Sequence, residues 1–308
     1  MIADRFGIRA GWRSRDPLAL YAPLPYFACV RVFRFLLGLL VLFAGDILRV
    51  YWIMPFPGSQ VHDRIDAAYF LHHNLWWIRL VGLALIAGPF VHFWRNGRWP
   101  RKVAIAVPVL FYALVFYLFH FKFMADKMFL PPHTKMMASP VINDSTANKL
   151  VLGVVINDDA RAYPIELIGY HHQVLDTVGG EPVLVTYCTV CHTGRAYSPK
   201  VNGQQEIFRL VGMDHFDAMF EDSRTGSWWR QVNGECIAGP LKGQHLNEIP
   251  SAQFGLGTWT QLHPNTLVFQ PDTLFRDEYA GLKGYDNGTI ESSLEHRDSV
   301  SWQMKSNS

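Results

Sequence analysis

Three long apolar stretches precede Pro131, and they constrain this chain more than any other feature. A helix that crosses the hydrocarbon core of a bilayer needs about 20 predominantly apolar residues. The stretches at 32–53, 75–94 and 103–123 approach that length. Asp46 and Arg49 interrupt the first; three positions apart, they share a helical face where they can pair or reach the interface. The second contains Arg79. The third is the cleanest, and its Pro108 is tolerable in a spanning helix. Because the first stretch follows a long polar segment and two more come after it, the pattern is not that of a cleaved signal peptide.

Overall, 49% of the residues are hydrophobic and 18% charged, which is apolar for a soluble protein. The excess sits almost wholly before Pro131, so the expectation is a helical membrane region over 1–130 followed by a globular part. The formal net charge of +2 offers no basic patch for nucleic acid. Arg5, Arg9, Arg13, Arg15, Arg31 and Arg34 precede the first stretch, and Arg95, Arg98, Arg101 and Lys102 lie between the second and third. By the positive-inside rule these segments are cytoplasmic, which puts everything after Phe123 outside the cytoplasm. The expected protein is therefore a multi-pass inner-membrane one. Its expected partners are the lipid bilayer and a redox or metal-delivery protein.

His62, His72, His73, His120 and His133 gather at the expected outer side. Such histidines can face a b-type haem or a quinone, but beside Tyr69, Trp76 and Trp77 they read more simply as interfacial polar residues. Gly38, Gly45, Gly82 and Gly88 are expected to permit close helix packing.

After Pro131 the pattern changes. Residues 131–148 read as a linker, and from Lys149 short β-type runs alternate with turn residues. Strands are expected at Leu150–Ile156, Ala160–Tyr163, Val183–Tyr187, Glu206–Val211 and Thr266–Phe269. Short helices are expected at Pro164–Gly169 and Ser251–Gln261. Together these runs give a mainly β domain over 149–280, an antiparallel sandwich or irregular barrel, followed by a polar tail at 281–308.

Four cysteines are too few for a disulfide-built scaffold. Cys29 and Cys236 stand alone, leaving Cys188 and Cys191 as the local pair at the end of the Val183–Tyr187 run, with His192 directly after. Around this pair the chain resembles the bacterial family called domain of unknown function 3179. The resemblance covers roughly residues 148–272. It rests on Ala160-Arg161-Ala162-Tyr163-Pro164, Asp176-Thr177-Val178-Gly179-Gly180, Thr186-Tyr187-Cys188 with Cys191, Thr225-Gly226-Ser227-Trp228, and Ile237-Ala238-Gly239-Pro240-Leu241. It implies a Tyr-Cys-Pro-Leu-Cys type of site with an upstream histidine, which His171 matches. Here Thr189-Val190 stand between the cysteines, and His192 falls outside the family pattern.

Four chemistries suit this site. Cys188 and Cys191 can act as a catalytic thiol–disulfide pair. They can instead hold copper or zinc, with His171 and His215 completing the shell and Met213 adding a thioether. A structural disulfide would make the domain a non-catalytic binding or assembly module. The literal C-x-x-C-H also fits a c-type haem with His192 as its ligand, although the strand entry is unusual for that motif.

Overall fold

The computed structural model describes residues 24–141, 146–282 and 284–285. Three helices come first: α1 (Leu24–Ile53), α2 (Ile65–Asn96) and α3 (Trp99–Phe121). All three are long and apolar enough to cross a membrane. Each outruns or shifts the apolar stretch that announced it. At 1.5 Å per residue the 32 residues of α2 span about 48 Å, well beyond a hydrocarbon core of about 30 Å. The stretch 75–94 is thus only the apolar part of a helix whose first turns reach the sheets.

Glycine brings α1 and α2 together. A Cβ at Gly38 would meet Ile86 at 2.7 Å, one at Gly82 would meet Leu42 at 2.6 Å, and one at Gly45 would meet Ile78 at 3.0 Å. Gly88 departs from the expectation: a Cβ there meets nothing within 4 Å. Asp46 and Arg49 do not pair with each other. Asp46, fully buried, receives Arg79 Nη2 at 2.5 Å and the Tyr112 hydroxyl at 2.9 Å, which ties all three helices at one point. Arg49 instead donates to the Phe119 carbonyl at 3.0 Å. Phe33, Leu36, Leu80, Val107 and Leu110 remain on the outside, the surface a lipid phase would cover.

The rest of the described chain is mainly β. One sheet runs Met137–Ala138, Leu267–Phe269, Asp159–Pro164, Leu150–Ile156, Ser251–Gly255. A second runs Cys236–Ala238, Trp228–Arg230, Asp217–Asp222, Phe208–Asp214, and a third runs Glu248–Ile249, Thr193–Tyr197, Glu181–Cys188, Gln173–Val178. Pairing is antiparallel except between Leu267–Phe269 and Asp159–Pro164. The sheets stay open, so the fold is layered rather than a closed barrel. The helix expected at Ser251–Gln261 is split: Ser251–Gly255 pairs as an edge strand, and the helix starts at Leu256. Within the expected linker, Met137–Ala138 adds a strand to the first sheet. The expected tail lies almost wholly outside the described residues, although Tyr285 is buried.

Helices and sheets share one core. Val50, Ile53, Met54, Ile65 and Ala68 pack with Trp228, Trp229, Phe208 and Met219. The approach is closest at Gly212, where a Cβ would meet the Ile53 carbonyl oxygen at 2.2 Å. Gly212→Ala is therefore expected to push the sheet off the end of α1, costing about 1–3 kcal/mol by overpacking. A lowered thermal midpoint of the detergent-solubilised protein checks this. His72 and His73 belong to the same junction: Arg209 Nη2 meets His72 Nε2 at 3.0 Å, Glu221 accepts from Arg209 at 2.7 Å, and Trp228 Nε1 donates to Glu221 at 2.8 Å. These two histidines dock the sheet, and His120 stacks on Phe116.

Candidate functional site

Two hairpin loops build the site. The first follows Glu181–Cys188, a strand rich in β-branched residues that the two-residue turn Gly179-Gly180 sets in register, pairing Val178 with Glu181. The strand ends where Cys188 pairs with Thr193, so residues 189–192 form the loop and Cys191 lies within it. The second joins Phe208–Asp214 to Asp217–Asp222, pairing Asp214 with Asp217. Its two turn residues, His215 and Phe216, both have positive φ, at 50° and 65°. Turns of this kind favour Asn and Gly; a left-handed conformation in other residues costs about 1–2 kcal/mol each. Such strain gathers where a backbone atom has to be aimed.

Here the aimed atom is the Phe216 carbonyl oxygen, 3.1 Å from Cys191 Sγ and 3.5 Å from Cys188 Sγ. The two sulfurs are 3.0 Å apart, and both thiols are free. Cys188 is fully buried, Cys191 half-buried. The Cys191 thiol, together with its backbone N–H at 3.3 Å, holds the Cys188 thiol below its usual range, against the opposing effect of burial. Hydrogen bonding to Cys188, then burial, pushes the Cys191 thiol up. The pair is thus asymmetric, with Cys188 the more acidic thiol and Cys191 the one that keeps its proton.

Asp217 completes the group. Its Oδ1 lies 3.7 Å from Cys191 Sγ and its Oδ2 accepts the Val232 N–H at 3.0 Å. One ligand atom from each of Cys188, Cys191 and Asp217 lies within 4.8 Å of the others. Burial lifts the Asp217 carboxyl to about 6, although the Val232 N–H favours its ionised form. The folded protein therefore holds this proton more tightly than the unfolded chain does. Stability is lost as pH rises from about 4 through 6, by about 3 kcal/mol in total. Asp217→Asn is expected to flatten that part of the stability–pH profile and raise stability at pH 7, as denaturant titrations at pH 4, 5, 6 and 7 would reveal.

No histidine joins this group among the described residues. His171 lies in a different core, its Nδ1 2.6 Å from the Leu130 carbonyl and its Nε2 2.6 Å from the Tyr279 hydroxyl. With both nitrogens engaged, neither is offered to the sulfurs. His215 sits in the second hairpin turn but bonds Asp214 at 2.8 Å, and its side chain is half exposed. His192 stacks on Tyr285 at 5.0 Å, with its Nδ1 3.1 Å from the Tyr285 hydroxyl.

A cavity of about 150 Å³ adjoins Cys188, walled by Met54, Met128, Phe129, His172, Leu210 and Met213. That is below the ~300–1,000 Å³ of ordinary ligand and cofactor sites. Sequence reading passed over two members of this site. Asp217 follows a turn with no Gly, Asn or Asp at its centre, and His172 is the neighbour of the histidine that the family pattern picks out.

The family described as "Protein of unknown function (DUF3179)" matches residues 133–305. The chain belongs to this family. The DUF3179 match takes in both hairpin loops, Asp217 and His172, and extends on both sides of the blocks that carry the resemblance. No curated protein and no solved structure matches the chain. The three apolar helices precede the DUF3179 region and make this a membrane-associated member.

Proposed function

We propose that the protein is a membrane-anchored dithiol–disulfide exchange protein, with Cys188 as attacking thiolate, Cys191 as resolving thiol and Asp217 as proton acceptor. The observation that carries this is the pair of sulfurs 3.0 Å apart, one held toward thiolate by the other, beside a buried carboxyl.

In the reaction, the Cys188 thiolate attacks one sulfur of a partner's disulfide, whose S–S bond breaks as a mixed disulfide forms and the other sulfur leaves as thiolate. Cys191 passes its proton to the Asp217 carboxylate, and its sulfur attacks Cys188 Sγ. That step closes the Cys188–Cys191 disulfide and releases the second partner sulfur. Two electrons pass to the partner; the reverse sequence oxidises a partner dithiol. A carboxyl near 6 suits proton transfer at neutral pH.

An extracytoplasmic setting is part of the proposal. The basic turn of Arg95, Arg98, Arg101 and Lys102 joins the ends of α2 and α3 remote from the sheets, which the positive-inside rule assigns to the cytoplasm. The β region then faces an oxidising compartment, where such exchange has partners. In intact cells, a membrane-impermeant probe should label a cysteine introduced at exposed Asn202; labelling only after lysis would reverse the topology.

A second reading rests on the same three ligand atoms: copper or zinc on Cys188, Cys191 and Asp217. Elemental analysis of the purified full chain separates the two. A stoichiometric metal lost in Cys191→Ser supports the ion, and metal-free protein with exchange-competent thiols supports the dithiol.

A further inference from the structure

The cavity beside Cys188 contains more than disulfide exchange needs. Met54 follows the last turn of α1, Met128 ends the short helix Ala125–Met128, and Met213 lies on the strand Phe208–Asp214. Three separate elements thus bring thioethers to one small space, together with Cys188 and His172. Methionines often serve only to fill irregular gaps. Gap filling does not account for His172.

His172 caps the helix Ile165–His171 in the left-handed conformation, with φ at 57°, and is 6% exposed. Its Nδ1 lies 3.0 Å from the Tyr187 carbonyl oxygen. A carbonyl can only accept, so the ring proton sits on Nδ1 and Nε2 keeps its lone pair. Nε2 has no hydrogen-bond partner among the described residues, and the ring forms part of the cavity wall. An imidazole oriented through one nitrogen by a backbone carbonyl, with no hydrogen bond at the other, is how metal-ligating histidines are presented.

We propose that this cavity is a site for a single cuprous ion, held by Cys188 Sγ, His172 Nε2 and the Met213 thioether, with Met54 and Met128 offering further sulfur. Thiolate and thioether donors select soft Cu(I). The charge balance points the same way: one thiolate neutralises one monovalent ion, whereas a divalent ion would leave a net charge among apolar walls. The site goes beyond the exchange reaction and shares only Cys188 with it, so a bound ion keeps Cys188 out of the disulfide.

The test is an anaerobic Cu(I) titration of the reduced full chain in detergent, in competition with bicinchoninate. We expect one equivalent to bind. Met213→Leu, nearly volume-conserving, and His172→Asn, which tolerates the left-handed conformation, should each weaken binding about tenfold or more. Cys191→Ser should bind as the parent does. Undiminished affinity in both Met213→Leu and His172→Asn overturns the proposal, as does loss of binding in Cys191→Ser. Disulfide exchange by copper-free Met213→Leu should match the parent rate, so failure of the copper site and failure of the exchange reading are told apart.

Discussion

Cys191→Ser protein exposed to excess small-molecule disulfide is expected to accumulate a stable mixed disulfide on Cys188. Removing the resolving sulfur stops the sequence at its midpoint, because no second thiol lies within reach of Cys188 among the described residues; Cys236 is buried on another strand with its Sγ directed to the Ala238 carbonyl. Cys188→Ser is expected to form far less adduct, since burial and the neighbouring Asp217 still raise the Cys191 thiol once Cys188 is gone. Intact mass after acid quenching reads both. Equal adduct in the two variants would mean that the asymmetry of the pair has been assigned the wrong way round.

Arg79→Leu is expected to destabilise the helical part by about 3–5 kcal/mol, the cost of leaving a buried charge without its partner. Asp46 is fully buried between three helices, and Arg79 is its counterion, with Tyr112 as second donor. The Asp46→Leu, Arg79→Leu double variant should recover most of the loss, because apolar residues replace both charges and Arg49 keeps the Phe119 carbonyl. Denaturant unfolding of the detergent-solubilised chain measures both. A double variant as unstable as the single one would show that Asp46 and Arg79 do not act as a pair.

Much of the architecture was legible because its signals are local. Apolar length announced three helices, and short β-type runs broken by turn residues announced the sheets. What escaped notice depends on tertiary placement. Asp46 has its Arg79 partner 33 residues away, so the nearby Arg49 looked like the natural mate. The His215-Phe216 turn carries none of the usual turn residues, which hid both the hairpin and the approach of Asp217 to Cys191. His171 and His172 are adjacent in sequence yet face different cores, since the helix ends between them in a left-handed cap. No periodicity distinguishes the two.

Titration of the purified full chain against glutathione buffers of set poise tests the exchange account most directly, with free thiols counted by alkylation and mass. A reversible Cys188–Cys191 disulfide is expected, with a midpoint within the roughly −120 to −270 mV range of exchange-active pairs. Two thiols that stay alkylatable at every poise, or a disulfide that no poise in this range reduces, would contradict it.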